Sequence, residues 1–167
     1  MKLRALIADD EALARERMRF LLASDDDVEI TGECRNGREV FAALKEQSCD
    51  VLFLDIQMPG ENGFDIVEQV GRTRMPVTVF VTAHNHYALK AFDVHALDYL
   101  TKPVEPERLK ATLEHVKERI ASRNAVQTHE QFKSLLAALT EGVSPRKEYA
   151  GRLIVPNGPK DSFVNVD

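Results

Sequence analysis

Five short apolar runs punctuate the first two thirds of the chain, and four of them stop abruptly at polar residues: Leu3–Ala8 at Asp9-Asp10, Val51–Leu54 at Asp55, Val77–Val81 at Thr82, and Ala96–Leu100 at Thr101-Lys102. A fifth, weaker run is Val28–Glu33. Runs of this length, rich in β-branched residues, read as buried strands rather than helices. The stretches between them are too long for hairpins and carry helical spacing, which implies parallel strands joined by helical crossovers. Leu13, Arg17, Phe20 and Leu21 mark a helix from about Glu11 to Ala23, and Val40 with Leu44 marks a second. Phe64, Ile66, Val67 and Val70 mark a third, Tyr87–Phe92 a short fourth, and Leu109, Leu113, Val116 and Ile120 a long fifth from about Glu105. Breakers fall between them, at Asn36-Gly37 and along Met58-Pro59-Gly60-Glu61-Asn62-Gly63. The expected fold is α/β: a doubly wound, five-stranded parallel sheet over residues 1–122, with helices on both faces because such crossovers are right-handed.

From Arg123 the character changes. Residues 123–150 read as a linker with one more helix, marked by Phe132, Leu135, Leu136 and Leu139 after the polar stretch Asn124–Thr128. Residues 151–167 read as two strands, Leu153-Ile154-Val155 and Phe163-Val164-Asn165-Val166, around a Pro-Asn-Gly-Pro turn. So short a hairpin cannot bury a core, so it is expected to open a further domain cut off here.

In a parallel sheet, strand ends of one sense share one edge. Asp9, Asp10, Asp55, Thr82 and Lys102 are therefore expected to converge on the carboxyl-edge crevice where doubly wound folds bind ligands. Any one of these acids could be a helix cap, and a Lys-Pro pair a plain loop. The set together asks for a chemical explanation. Three carboxylates in one crevice repel one another unless a cation is present, and hard oxygen donors of this number suit Mg²⁺. Asp55 lies centrally, and carboxylates are competent phosphoryl acceptors. Lys102 and Mg²⁺ would neutralise the transferring phosphoryl oxygens, and Thr82 would donate its hydroxyl to the new phosphoryl group.

The combination of Asp9-Asp10, Asp55 with Met58-Pro59 and Gly63, Thr82-Ala83 and Lys102-Pro103 resembles the signature of response-regulator receiver domains over about residues 3–122. The resemblance implies a flavodoxin-like strand order 2-1-3-4-5 and a phosphorylation-dependent switch loaded by a sensor histidine kinase. On that reading the chain is not a dedicated enzyme, because it catalyses only its own phosphorylation and dephosphorylation. It implies Mg²⁺ held by Asp9, Asp10, Asp55 and the Gln57 carbonyl, and a cis peptide before Pro103. It also implies a switch in which Thr82 and Tyr99 move together and alter the surface of the fourth helix, fifth strand and fifth helix, through which two copies would dimerise. Gln57 and His84 occupy positions that influence hydrolysis of the phosphoryl group. The run Tyr87–Phe92 with Ala96–Leu100, and the tail from Arg152, resemble LytTR-type transcription regulators. DNA would then be reached only through the missing C-terminal domain. The alternative is a stand-alone receiver that acts by protein docking.

Other classes fit poorly. A phosphatase of the haloacid dehalogenase type needs a second acid two residues after its nucleophile, where Gln57 stands and cannot transfer a proton. The net charge is −5, and residues 1–122 carry 16 Lys/Arg against 22 Asp/Glu, which leaves no basic surface for nucleic acid. Cys34 and Cys49 lack metal or disulfide spacing and read as reduced, buried thiols. His86, His95, His115 and His129 show no metal spacing either. No run reaches membrane-spanning length and no leader opens the chain, so a cytoplasmic protein is expected.

Overall fold

A computed structural model describes residues 2–139 apart from Arg72; the expected linker end and hairpin at 140–167 lie outside the described residues. The elements are β1 (Leu3–Ala8), α1 (Ala12–Leu22), β2 (Val28–Cys34), α2 (Gly37–Glu46), β3 (Val51–Leu54), α3 (Gly63–Val70), β4 (Val77–Thr82), a 3-10 turn (Asn85–Tyr87), α4 (Ala88–Asp93), β5 (Asp98–Thr101) and α5 (Pro106–Leu139). The sheet is parallel throughout, in the order β2-β1-β3-β4-β5 expected for a flavodoxin-like fold.

The inner strands β1, β3 and β4 are largely apolar on both sides because both faces are covered, and period-two alternation divides them between two cores. Ala5, Ile7, Val51, Phe53, Val79 and Val81 face one core, with Met18, Leu21 and Leu22 of α1 and Leu109, Leu113 and Val116 of α5. Leu6, Ala8, Leu52, Leu54 and Phe80 face the other, with Val40 of α2, Phe64, Ile66 and Val67 of α3, and Ala91 of α4. Two helices start at asparagine caps: Asn36 accepts from the Glu39 amide and Asn62 from the Asp65 amide, each at 2.9 Å. Cys34 is buried and Cys49 half-buried, both reduced, with burial pushing their thiols up to about 12 and about 11.

Three expectations change. Leu13 and Phe20, two of the residues whose spacing marked α1, are 79% and 71% exposed. The buried face carries Met18, Leu21 and Leu22, which pack into the core beside β1 and α5, while Arg17 donates to the Val104 carbonyl at 2.9 Å. Strand β5 begins at Asp98 rather than Ala96: His95 adopts φ 65° and amides 95 and 96 close onto α4, so hydrogen bonding to β4 starts only with the Leu97 amide, which donates to the Thr78 carbonyl at 2.8 Å. Helix α5 spans Pro106–Leu139, taking in the polar stretch Asn124–Thr128 as well as the further helix expected around Phe132 to Leu139. Residues 123–139 contain no glycine or proline, and their polar residues cost helix only tenths of a kcal/mol each.

Candidate functional site

The sheet's hydrogen bonding carries each polar residue to the same edge. One residue beyond its strand, the Asp9 amide donates to the Cys34 carbonyl (2.9 Å) and that of Asp55 to Ala8 (2.9 Å). Likewise the Lys102 amide donates to Thr82 (2.7 Å). The parallel ladder thus continues just far enough to fix these three backbones. Thr82, the last residue of β4, pairs with Thr101. The Lys102–Pro103 peptide is cis.

Asp9, Asp10 and Asp55 each offer a carboxylate oxygen, and these atoms lie within 4.8 Å of one another. Asp9 and Asp55 are each 4% exposed, whereas Asp10 is open to solvent. Lys102 Nζ lies 2.7 Å from Asp9 Oδ2, 3.4 Å from Asp55 Oδ2 and 3.2 Å from Glu11 Oε1. Burial and the neighbouring Asp9 charge push the Asp55 carboxyl up to about 7, against the opposing pull of Lys102 and the Gln57 amide. For Lys102, burial acts to lower the ammonium pKa, but the Asp9 hydrogen bond and the charges of Asp55 and Asp9 outweigh it and raise it. One ammonium thus serves several carboxylates, a deficit of positive charge. An all-oxygen donor set with one open ligand fits a hard divalent cation that retains waters.

The loops around this centre are tied to it. The Gln57 amide donates to Asp55 Oδ1 (3.2 Å), the Glu11 amide to Asp9 Oδ1 (2.9 Å) and Arg15 to the Asp9 carbonyl (2.8 Å). Thr82 is fully buried, and its hydroxyl oxygen accepts from the His84 amide at 3.3 Å. The Tyr99 hydroxyl donates to the His84 carbonyl and accepts from the Tyr87 amide at 3.3 Å, which links β5 to the loop carrying Thr82. Beside the acids, a cavity of about 490 Å³ is lined by Asp10, Gln57, Met58, Asn62, Tyr87 and Lys90, among others.

Gly63 makes the loop after Asp55 possible. Its amide donates to the Ile56 carbonyl at 2.7 Å. A Cβ there would stand 2.9 Å from the Asp55 carbonyl oxygen and 3.1 Å from both the Ile56 Cα and the Phe80 ring. Gly63→Ala is therefore expected to destabilise the fold by about 1–3 kcal/mol. A denaturant midpoint equal to that of the wild type would contradict this.

Every residue singled out from the sequence reaches this edge, Asp9, Asp10, Asp55, Thr82 and Lys102 at its centre and Gln57, His84 and Tyr99 around it. Sequence reasoning missed Glu11, Arg15 and Tyr87. Glu11 and Arg15 follow the acid pair by one and five residues, a proximity that could have flagged them. Tyr87 lies 30 residues from its partner Gln57, and no local pattern signals that contact.

The profile described as "Response regulator receiver domain" matches residues 5–114. The Transcriptional regulatory protein BtsR of Salmonella typhi is 44% identical over 133 residues, 80% of this chain and 56% of BtsR, so the chain spans about half the length of that relative. The Sensory transduction protein LytT of Bacillus subtilis is 44% identical over 166 residues, 98% of this chain and 68% of LytT; the match takes in the tail that resembled LytTR-type regulators. Among solved structures, the REC domain of AraT, a response regulator from Geobacillus stearothermophilus, superposes with a TM-score of 0.63 at 32% identity, covering 74% of this chain and 99% of that one.

Proposed function

Because the chain belongs to the response regulator receiver domain family, we propose that it is a phosphorylation-dependent switch in which Asp55 accepts a phosphoryl group from a sensor histidine kinase. The observation that carries this reading is the buried Asp55 carboxylate with two further acids and one lysine gathered around it. In the transfer, an Asp55 oxygen forms a bond to phosphorus as the phosphorus–nitrogen bond of the donor phosphohistidine breaks, and the imidazole leaves with the electron pair. Lys102 faces the phosphoryl oxygens from one side, and Thr82 donates its hydroxyl to them. Asp9, Asp10, Asp55 and the Gln57 carbonyl would hold Mg²⁺, whose chemistry when bound is to neutralise charge on those oxygens. Gln57 and His84, flanking the centre, would set how fast water removes the group. The chain is in this sense a signalling domain, self-catalysing its own loading and unloading, rather than a dedicated enzyme.

The output reading rests on the Tyr99 hydroxyl, which holds the loop that Thr82 leads into. A pull on Thr82 would be felt at Tyr99 and so across α4, β5 and α5. Leu89 and Phe92 of α4 are 82% and 77% exposed, an apolar surface suited to a second copy. Phosphorylation would favour that homodimer, with transcription controlled in the cytoplasm through a LytTR-type DNA-binding domain. Residues 1–122 would form the receiver, 123–150 the connection, and 151–167 the opening of the output domain. Among the described residues no helix is long and apolar enough to cross a membrane.

The test is intact-mass spectrometry after incubation with acetyl phosphate and Mg²⁺. One added phosphoryl group is expected, absent from Asp55→Asn and absent without Mg²⁺. The same samples in an analytical ultracentrifuge should move toward dimer only when phosphorylated. No mass gain under any condition would exclude the reading.

A further inference from the structure

Tyr87 belongs to none of the roles above, yet its contacts span the functional edge. Its hydroxyl accepts a hydrogen bond from the Gln57 side-chain amide at 3.1 Å, and its backbone amide donates to the Tyr99 hydroxyl at 3.3 Å. The ring is wedged against Phe64 and His86, with centroids 5.8 Å and 4.1 Å away. Tyr87 is thus held at its backbone by β5 and at its ring by α3 and its own turn. The hydroxyl is presented at a fixed place to a side chain two residues beyond Asp55. The Gln57–Tyr87 pair joins the loop after β3 to the loop after β4, and both residues line the cavity that Asp10 also borders.

We propose that Tyr87 is a positioning residue that pins the Gln57 side chain across the mouth between these loops and so slows hydrolysis of phosphorylated Asp55. Hydrolysis requires a water oxygen to bond to phosphorus while the bond from phosphorus to the Asp55 oxygen breaks. The carboxylate departs with the electron pair, and the water protons go to the released phosphate and to solvent. The attacking water must reach the phosphoryl group from the side facing solvent. A glutamine amide anchored at 3.1 Å to Tyr87, on the wall of the cavity that Asp10 borders, would stand across that approach, whereas a free one samples many rotamers and would leave it open. This inference rests on Asp55 being the phosphoacceptor.

The experiment loads wild type, Tyr87→Phe, Gln57→Ala and the double variant with acetyl phosphate and Mg²⁺, removes the donor, and follows decay of the phosphorylated mass. Tyr87→Phe keeps the packed ring and deletes only the hydroxyl. Its phosphoryl lifetime should shorten by about twofold to tenfold, the range that one net hydrogen bond supports. Gln57→Ala should shorten it by a similar factor, and the double variant should decay no faster than Gln57→Ala alone. That non-additivity separates positioning from a general loosening of the fold, which would add to the Gln57 effect. A Tyr87→Phe lifetime equal to or longer than that of wild type would overturn the proposal, as would a double variant in which the two effects multiply. Failure of the wild type to gain a phosphoryl group would instead overturn the phosphoacceptor reading and this inference with it.

Discussion

Lys102→Ala is expected to slow phosphorylation of Asp55 by acetyl phosphate about 10²- to 10³-fold in saturating Mg²⁺, the loss typical of removing one fixed electrostatic donor from a reacting centre. The lysine is well placed for such an effect. Its stem leaves a backbone fixed by the hydrogen bond to Thr82, and its ammonium sits between the buried Asp9 and Asp55 carboxylates at 2.7 and 3.4 Å. Nothing needs to reorganise for it to face oxygens attached at Asp55. Initial rates of mass gain measure the effect. Lys102→Arg should recover only part of the rate, because a planar guanidinium cannot occupy the position of a compact ammonium. An alanine variant that phosphorylates at the wild-type rate would remove Lys102 from the chemistry.

Asp55→Asn should abolish the phosphoryl gain and, in buffer without Mg²⁺, make the protein more stable near neutral pH. The sign follows from the raised carboxyl. Unfolded Asp55 ionises near pH ~3.9, whereas in the fold burial and Asp9 hold its carboxyl up to about 7. Between these values the folded state binds more protons than the unfolded one, so its stability falls as pH rises through that window. Asparagine has no such charge to bury. Its Tm should exceed that of the wild type at pH 7.5 by at least about 2–4 °C, the shift that 1 kcal/mol produces in a protein of about this size. The gap should narrow toward pH 5, and Mg²⁺ should raise the Tm of the wild type more than that of the variant. A Tm difference that stays constant from pH 5 to 7.5 would show that Lys102 already satisfies the site.

The fold was legible because its signals are local. The runs ending at Ala8 and Leu54 are apolar on both faces, a pattern that only a strand buried on two sides requires. The helical stripe Leu109, Leu113, Val116 needed no partner to be recognised, and all three are buried as it indicated. The centre of the site was legible for the same reason: strand ends of one sense share an edge, so Asp9, Asp55, Thr82 and Lys102 are brought together by topology alone. Helix α1 shows the limit. Its sequence offers apolar residues on more than one side, and the choice of Met18, Leu21 and Leu22 over Leu13 and Phe20 was made by packing against the sheet and α5.

Sequence by itself determined the alternation of strands and helices, the edge at which the acids, threonine and lysine gather, and the kind of cation those oxygens suit. All of these follow from periodicity, from residue chemistry and from the handedness of crossovers. Only the tertiary structure decided how that edge is wired. The Lys102 ammonium is shared among Asp9, Asp55 and Glu11, across up to 93 residues of chain. Gln57 is held by Tyr87, and Tyr99 holds the loop after Thr82. The elevation of the Asp55 carboxyl likewise belongs to the assembled fold, since it comes from burial and from a charge 46 positions earlier in the sequence. Contacts between side chains so far apart are set by packing of the two cores, and no pattern within a window of ten or twenty residues encodes them.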